Sequence, residues 1–392
     1  MERILMVRGK SQYDSTRIFF NEIKREWERL GLEIDLLDSY DETAYIQIRK
    51  KLQSRSYDAV VTINGMLLEK ESDLRKMILK DGIIYATMLM DHPLIHHERL
   101  RTSYPYCLVL SPDKKHVDYL RRYYPNIWKT GFLAHGGCQA QKRVVPYGER
   151  TFDLSFMGSY NRPEEIWQEI EGYPEQMKIL MENCVYYLLH HTEKTLEEAM
   201  EKVFYQFGIE IPWEEFAPIA SEFRAVDRYV RCYYRDKVLR ILLENEIEVH
   251  VFGDGWERME LSGSSRLQIH GRVGYQESLE IVADSKISLN VMPWFKEGSH
   301  DRVFSAMLNG AVCLTDSSEY LKEECKEGTN LLCYSLDNLE QLPFLVRSVL
   351  DDVERGRSIA EAGKKLAEQK HTWAVRGREF LEYLLEAEKE RG

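Results

Sequence analysis

The loop ahead of a predicted helix at 303–308 carries side chains that could bind an anion bearing hydroxyl groups. Glu297 can accept hydrogen bonds from hydroxyls, and Arg302 presents a planar fork of donors suited to a diphosphate. Asp301 can cap the helix, whose N-terminus offers N–H groups and partial positive charge to an anion. A polar turn with surface ion pairs is the alternative explanation. The residues assigned to the anion site are Glu297, Gly298, His300, Arg302 and Val303.

Glycine-containing turns follow several predicted strands of the same part of the chain. The turn Gly158-Ser159-Tyr160 ends the strand at 152–157, and glycines at 253, 255, 271 and 274 end neighbouring strands. A glycine at such a turn lets the backbone come close to a pyrophosphate. Each glycine alone is explained as an ordinary turn residue, whereas several in one domain favour a phosphate site. We assign Gly158, Ser159, Tyr160 and Gly253 to that site.

Two arginines follow on a predicted helix. Arg231 and Arg235 have the i, i+4 spacing that places them on one helix face. They could reach a phosphate, or they could be solvated surface arginines. Arg231 is kept as a candidate for binding the anion.

Short apolar runs that alternate with helical patterns must position these residues. Between 1 and 150 the predicted strands are 4–7, 32–37, 59–63, 83–90, 107–110 and 128–133, and the predicted helices include 15–30, 43–52, 69–79 and 112–123. A second set of strands lies at 152–157, 248–252, 267–270, 287–291, 311–314 and 331–334. It is interrupted by almost continuous helix at 163–235, which is broken at 208–212. The alternation predicts an α/β fold of two Rossmann-like, doubly wound domains that face a cleft. Glycosyltransferases of the two-Rossmann type, nucleotide-sugar epimerases and periplasmic binding proteins share that geometry.

Composition and charge narrow the function further. The chain has 392 residues and a formal net charge of -12, which argues against nucleic acid as a partner. Its seven cysteines are scattered without a CxxC pair, so neither a disulfide framework nor a zinc site is predicted. The start of the chain reads directly into a strand instead of a signal peptide, and no run is long enough for a membrane span. A cytoplasmic protein is therefore expected.

The segment 295–316 resembles the donor-binding segment of bacterial glycosyltransferases grouped with the spore-maturation protein CgeB, whose C-terminal part is a group-1-like glycosyltransferase domain. That family has a Gly-His-x-Arg-like run before a helix, then a glycine, an apolar strand and an acidic residue. The corresponding features here are Ser299-His300-Asp301-Arg302, Val303–Leu308, Gly310, Ala311–Leu314 and Asp316. Further matches are 285–291, 251–256, Thr372-Trp373 and Arg376. The resemblance covers 240–380, and earlier residues only by architecture and by the turn Asp91-His92-Pro93.

The resemblance implies the GT-B fold, with a nucleotide-sugar site in the C-terminal domain and an acceptor site in the N-terminal domain. We predict an acceptor domain at 1–150 and a nucleotide-sugar domain at 151–372, which includes a helical insertion at 163–235. A C-terminal helix at 373–392 is expected to pack back on the first domain.

The resemblance also implies roles for single residues. The loop after the strand at 267–270 would cradle the base, so Arg272 and Val273 are candidates for binding uracil or a similar base. Many retaining relatives carry two glutamates eight residues apart, of which the first lies near the sugar. Glu297 fits the first position, but Ser305 occupies the second, which leaves the pair incomplete.

An inverting transfer needs a general base beside the acceptor hydroxyl, usually a carboxylate or a histidine. Asp14, Asp91 and His92 lie in predicted turns of the N-terminal domain and are candidates for this role. The structural alternatives are that Asp14 caps a helix and that Asp91 locks the turn before Pro93. Histidines follow nearby, but neither a fourth ligand nor an HExxH spacing predicts a metal site.

The chain is therefore predicted to be a metal-independent glycosyltransferase that needs no cofactor. It would move a sugar from a nucleotide-diphosphate sugar, with a UDP-sugar favoured, to an acceptor such as a protein or a cell-surface glycan. A helix dipole and basic side chains would stabilise the leaving diphosphate. Two alternatives stay open: a nucleotide-sugar epimerase of the same fold, and a non-catalytic protein that only binds nucleotide sugar.

Overall fold

The computed structural model describes residues 1–392 apart from 10, 12, 40–41, 69–72, 81, 103–104 and 143–144. The described residues form two units. Unit 1 consists of Met1–Gly136, Trp213–Ser221 and His371–Gly392, and unit 2 consists of Gly137–Pro212 and Glu222–Lys370. The first segment of unit 1 ends at Gly136, whereas the predicted domain boundary lies at 150.

Strands and helices alternate along most of the chain, as predicted. The strands are β1 (Arg3–Arg8), β2 (Glu33–Asp38), β3 (Ala59–Ile63), β4 (Ile84–Met88), β5 (Cys107–Ser111), β6 (Lys129–Phe132), β7 (Phe152–Met157), β8 (Val249–Phe252), β9 (Leu267–Ile269), β10 (Ser285–Asn290), β11 (Val312–Asp316) and β12 (Leu332–Tyr334). The helices are α1 (Ser15–Arg29), α2 (Glu42–Ser54), α3 (Asp73–Lys80), α4 (His97–Leu100), α5 (Lys114–Tyr123), α6 (Pro163–Glu171), α7 (Glu175–His190), α8 (Leu196–Gln206), α9 (Trp213–Glu222), α10 (Arg224–Glu244), α11 (Tyr275–Ala283), α12 (Asp301–Leu308), α13 (Glu319–Glu324), α14 (Leu342–Leu350), α15 (Val353–Lys370) and α16 (Trp373–Arg391).

A parallel sheet in the order β2-β1-β3-β4-β5-β6 forms the centre of unit 1. The strands β3, β4 and β5 are buried along their whole length, which explains why their sequences are apolar runs without regular polar alternation. The predicted helix at 69–79 is seen from Asp73 onward, since 69–72 lie outside the described residues.

The C-terminal helix α16 is part of unit 1 and packs against α1. The Trp27 indole donates a hydrogen bond to the Gly377 carbonyl at 2.7 Å, and the Phe19 ring stacks on Trp373 with centroids 4.4 Å apart. Thr372 begins the helix, because its hydroxyl accepts a hydrogen bond from the N–H of Val375 at 3.2 Å. Apolar burial and a cap therefore hold this helix to the first residues of the chain.

In unit 2 the order β12-β11-β10-β7-β8-β9 places β10 and β8 on the two sides of β7. Ser155 of β7 lies opposite Ser288 of β10 and opposite His250 of β8. The chain runs from β7 to β9 on one side and then crosses to β10, β11 and β12 on the other. The reversal lies between the carboxyl ends of β7 and β10, which is where open α/β sheets bind ligands. The predicted doubly wound topology is confirmed.

The segment 163–244 forms five helices, α6 to α10, where almost continuous helix with one break is predicted at 163–235. The predicted break at 208–212 is confirmed, since it lies between α8 and α9, and the other divisions are additional. Pro163 starts α6 and Pro174 precedes α7, since proline is tolerated at a helix start. A capping box, in which Thr195 and Glu198 bond each other's backbone N–H groups, starts α8. These local stop and start signals divide the insertion, and α10 continues beyond the predicted end at 235.

Most of α9 belongs to unit 1 although its neighbours along the chain belong to unit 2. Within unit 1, the Phe216 ring stacks on Tyr123 with centroids 4.3 Å apart and planes 11° apart. This long-range aromatic contact is tertiary, so the helical pattern alone did not reveal it.

Two further features of the described residues bear on the expectations from sequence. None of the described helices combines the length and the apolar character that a membrane crossing requires. All seven cysteines lie in the described part of the chain, and no disulfide joins any two of them.

Candidate functional site

Hydrogen bonds join the turn after β7 to the turn after β8. The Gly158 carbonyl accepts a hydrogen bond from the Trp256 indole at 2.8 Å, and the Tyr160 N–H donates to the Asp254 carbonyl at 2.8 Å. Gly253, at φ +156°, lies so close that a Cβ there would collide with the Gly158 carbonyl. The predicted residues Gly158, Ser159, Tyr160 and Gly253 therefore lie together. The glycine at 253 also has a packing reason of its own.

Arg302 reaches from the start of α12 to the end of β7. Its Nη1 donates a hydrogen bond to the Met157 carbonyl at 2.6 Å, and its guanidinium lies 5.9 Å from the centre of the Phe156 ring. The structure therefore brings this cation to the reversal point between β7 and β10. The adjacent candidate, Val303, is fully buried, and its N–H donates to the His300 carbonyl at 3.1 Å. The side chain and the backbone N–H of Val303 are therefore both engaged within the protein.

His300 and Asp301 form a carboxylate–imidazole pair at the start of α12. The His300 Nδ1 lies 2.7 Å from Asp301 Oδ1, and 3.2 Å from both the backbone N and the Nε of Arg302. The other oxygen of Asp301 accepts a hydrogen bond from the Tyr275 hydroxyl at 2.9 Å. The N-cap of α12 is His300, so the expectation that Asp301 caps this helix is wrong. Asp301 instead connects the cap to α11.

Ser305 is packed where the paired-glutamate pattern would place a second carboxylate. The serine is buried, and its Oγ accepts a hydrogen bond from the N–H of Cys138 at 3.1 Å. A Cβ on Gly137 would collide with the backbone of Phe304 and Ser305. This close approach leaves little room for a glutamate at position 305. The packing of unit 2 therefore explains why the second glutamate of the pair is absent.

The two arginines of α10 are not solvated surface residues. Arg235 Nη1 donates to the Ser159 carbonyl in the turn after β7. The Arg231 guanidinium lies 4.2 Å from the Trp294 ring centre, and its Nε is 2.7 Å from Asp227 Oδ2. The Arg231 side chain is only 18 % exposed. The helical insertion thus places two more cations near the turn after β7 and the loop after β10.

The loop that carries Glu297 is anchored on both sides. The Ser318 hydroxyl, which caps α13, donates to the Gly298 carbonyl at 2.6 Å. The Lys296 Nζ donates to the carbonyls of Thr192 and Pro293, each at 2.5 Å. Glu297 is half-buried between these anchors. The sequence-predicted carboxylate is therefore held on a loop whose backbone is fixed.

The loop after β9 meets the turn after β8. The Gly253 N–H donates to the Gly271 carbonyl at 2.7 Å, and Arg272 Nε lies 3.0 Å from Asp254 Oδ2. Both members of that ion pair are about half exposed, at 52 % and 55 %. Val273 is half-buried. Arg272 and Val273 are thus placed beside the glycine turns, and their assignment to a base stays a prediction.

In unit 1 the candidate Asp14 stands at the N-cap position of α1 in the left-handed conformation, with φ +59°. Its side chain makes no capping hydrogen bond and instead pairs with Arg17, at 2.9 Å. The expectation that Asp14 is the N-cap residue is therefore confirmed by its position, although its side chain does not make the cap. Lys10 and Gln12 of the same predicted turn lie outside the described residues.

The second unit 1 candidate, His92, is buried at the end of β4. Its Nδ1 accepts a hydrogen bond from the Leu94 N–H at 3.1 Å, so the histidine and not Asp91 caps this turn. The His92 ring packs edge-on against His116 at 4.4 Å and Tyr119 at 4.8 Å. Asp91 is half-buried. The turn therefore presents a less buried carboxylate beside a buried imidazole.

Burial also controls the neighbouring histidines. It lowers the pKa of His96 to about 4 and lowers the pKa of His97 as well. The His97 Nδ1 lies 2.8 Å from the Tyr124 hydroxyl. Both imidazoles are therefore neutral near pH 7, which suits packing better than anion binding. Across the described part of the chain, no three or more His, Cys, Asp or Glu side chains are arranged to hold a metal ion.

Trp294 and Tyr275 are contributors that the sequence reasoning missed. Trp294 follows β10, and its ring lies 6.0 Å from His300 as well as against Arg231. Tyr275 starts α11 and holds Asp301. An aromatic residue a few positions after a predicted strand of the site was the available signal for Trp294. Nothing local marked Tyr275.

Comparison with known proteins gives a family match over part of the chain and a match to the fold of solved structures. Residues 235–382 match the family model described as glycosyl transferase-like. No curated protein matches the chain at a significant level. Among solved structures, the HepE protein of Anabaena in complex with UDP-glucose has a TM-score of 0.57 and 10% identity, and the alignment covers 98% of this chain and 100% of that one.

Two other solved structures align over the whole chain at 10% identity. Sucrose-phosphate synthase of Thermosynechococcus elongatus has a TM-score of 0.55, with 98% of this chain and 99% of that chain covered. An alpha-glucosyltransferase in complex with UDP and a 13-mer DNA has a TM-score of 0.54, with 98% and 99% covered. The chain has the GT-B fold. The family match spans β8 to β12 and most of α16, so it includes Glu297, His300 and Arg302 but not the turn after β7.

Proposed function

We propose that the protein is a glycosyltransferase that moves a sugar from a nucleotide-diphosphate sugar to an acceptor. The observation that carries the proposal is that the family-matched segment lies at the ligand-binding point of the unit 2 sheet. The segment that matches the glycosyltransferase-like family supplies Glu297, His300 and Arg302, and Arg302 lies at the reversal point of the unit 2 sheet. That is the point where an open α/β sheet of this kind binds its ligand.

The diphosphate would be bound by Arg302 and by the N-terminus of α12. The guanidinium offers directed donors to phosphate oxygens, and the helix terminus adds a partial positive charge. Arg231 and Arg235 would add charge from α10, and the turn Gly158–Tyr160 would let the phosphates approach the backbone. Because these groups can stabilise a leaving diphosphate by themselves, we propose a transfer that needs neither a metal ion nor a cofactor.

The sugar and the base would lie on either side of the diphosphate. Glu297 and His300 would bind sugar hydroxyls, and the loop with Arg272 and Val273 would bind the base. A UDP-sugar is the favoured donor, which agrees with the UDP and UDP-glucose bound in solved structures with the same fold. The narrower resemblance to CgeB-like proteins stays a prediction.

The acceptor site is proposed to lie in unit 1, with Asp91, His92 or Asp14 supplying the general base. Asp91 suits the role best, since His92 is buried and caps a turn, while Asp14 pairs with Arg17. A protein or a cell-surface glycan is the proposed acceptor class. The net charge of -12 opposes nucleic acid as an acceptor. The cytoplasm is the proposed compartment.

A second candidate function is that of a protein that binds a nucleotide sugar without turning it over. The packing of Ser305 favours it, because the second carboxylate of the paired-glutamate pattern is absent. The epimerase alternative has no comparable support from the contacts described.

A panel of nucleotide sugars separates these functions. Purified protein is incubated with each donor, with and without cell-wall glycan and protein acceptors, and binding, released nucleotide diphosphate and isomerised donor are measured. Acceptor-dependent release of the diphosphate supports the transferase. Isomerised donor without acceptor supports an epimerase, and binding without turnover supports the binding protein. If no nucleotide sugar binds, the proposal is wrong.

A further inference from the structure

One ring nitrogen of His300 has both hydrogen-bond donors and a hydrogen-bond acceptor as neighbours, which require it to be without and with a proton respectively. A nitrogen with a lone pair accepts hydrogen bonds from N–H groups, whereas a protonated nitrogen donates to a carboxylate. The Nδ1 of His300 has both kinds of neighbour, with N and Nε of Arg302 at 3.2 Å and Oδ1 of Asp301 at 2.7 Å. It cannot serve both at once, so the contacts describe a site with two states.

The two states differ in what Arg302 can offer a ligand. With a lone pair on Nδ1, His300 accepts from the backbone N–H and the Nε–H of Arg302. With a proton on Nδ1, the imidazole donates to Asp301, whose other oxygen is held by Tyr275 at 2.9 Å. The two N–H groups of Arg302 are then released from His300. They are groups from which a phosphate oxygen accepts hydrogen bonds.

The charges around His300 favour protonation when an anion arrives. Asp301 supplies a negative charge and Arg302 a positive one, both from α12. From the preceding loop, the uncharged rings of Trp294 and Phe295 lie 6.0 Å and 6.1 Å away. Arg231 of α10 stands against Trp294, so it adds a second positive charge nearby. A proton can reach Nδ1 by a change of tautomer or by uptake from solvent. A bound diphosphate offsets both cations and so favours uptake, because it raises the pKa of the imidazole.

We propose that His300 takes up a proton when a nucleotide-diphosphate sugar binds beside Arg302. Nδ1 then gives up its hydrogen bonds from Arg302 and donates one to Asp301 instead. His300 is then a positioning residue that releases the donor groups of Arg302 and adds positive charge beside the leaving diphosphate. The inference rests on the proposed function of unit 2. It adds a linkage between donor binding and pH.

Titration calorimetry with UDP-glucose measures the linkage directly, because the diphosphate of UDP-glucose does not ionise near neutral pH. The binding enthalpy is measured in two buffers of different ionisation enthalpy, and its dependence on the buffer gives the number of protons taken up. We expect uptake of about one proton per donor above the pKa of the free imidazole, and an affinity that falls about tenfold per pH unit there.

Variants separate this linkage from a structural role. His300→Asn keeps a side chain that can cap the helix but cannot titrate, so uptake is lost while the fold remains. Asp301→Asn removes the negative partner and lowers the pKa of His300 by about 1 pH unit. His190→Asn, at an exposed histidine of α7, is the matched control and leaves uptake unchanged.

Each outcome decides the proposal. UDP-glucose that binds without proton uptake, or with the same uptake in His300→Asn, overturns the linkage and leaves the proposed function standing. If no nucleotide sugar binds, the proposed function fails, and an NMR titration of the His300 imidazole with inorganic pyrophosphate tests the linkage alone. A pKa that rises by about 1 pH unit with pyrophosphate supports it, and an unchanged pKa overturns it.

Discussion

Replacement of Arg302 by alanine tests the candidate site most directly, because this side chain joins α12 to the end of β7. A hydrogen bond to a charged phosphate contributes ~1.5–3 kcal/mol, so its loss should weaken UDP-glucose binding by about 10- to 150-fold. The variant also loses the hydrogen bond to the Met157 carbonyl at 2.6 Å and the contact with His300 at 3.2 Å. We expect the free energy of unfolding to fall by about 1–2 kcal/mol as a result.

The assay is calorimetric titration with UDP-glucose, with urea denaturation alongside to measure stability. Arg302→Lys keeps the charge without the planar fork and should give an intermediate affinity. Arg357→Ala is the matched control, since this arginine of α15 pairs with Glu354 on the surface of unit 2. Wild-type affinity in Arg302→Ala would remove Arg302 from the site. An equal loss in Arg357→Ala would show that only the overall charge matters.

Four further predictions concern the packing and titration of buried groups. Gly253→Ala should lower the free energy of unfolding by about 2 kcal/mol or more, because a Cβ collides with the Gly158 carbonyl at φ +156°, and unchanged urea stability would contradict this packing. Ser305→Glu should restore the glutamate spacing but destabilise the protein without raising diphosphate release, and increased release would contradict that expectation. Burial raises the pKa of the Asp316 carboxyl to about 6, so the contribution of this group to stability is full at low pH and is lost as the pH rises through 6. Asp316→Asn should therefore gain stability relative to wild type above that pH. Burial lowers the pKa of His96 to about 4, so the contribution of this histidine to stability is lost as the pH falls from the pKa of the unfolded chain toward 4. His96→Asn should therefore gain stability relative to wild type at low pH. For Asp316→Asn and His96→Asn alike, a denaturation midpoint that changes with pH in parallel with that of wild type would contradict the prediction.

Local sequence patterns predicted the elements of the site well, because apolar runs and turn glycines act over a few residues. The predicted run 287–291 overlaps β10 at 287–290, and the glycine turn at 158 follows β7 as expected. The cap of α12 was assigned to the wrong neighbour. His300 and Asp301 are adjacent and both accept hydrogen bonds, so residue type alone does not choose between them.

The insertion shows the same limit on a larger scale. Its helical pattern and its break at 208–212 were clear, but Pro174 and the capping box at Thr195 divide it further into separate helices. The alternative that Arg231 is a solvated surface arginine was wrong, because Trp294 covers its guanidinium from a loop 63 positions further along the chain. No helical periodicity carries that information.

The sequence by itself determined the alternation of strands and helices, the glycine turns and the residue types that suit an anion. Those are local properties of the chain. Only the tertiary structure decided which turns meet. It brought Arg302 to Met157 across 145 positions and Tyr275 to Asp301 across 26. Such contacts depend on the order of strands across the sheet, and the strand order is set by the packing of the whole unit and not by any single segment.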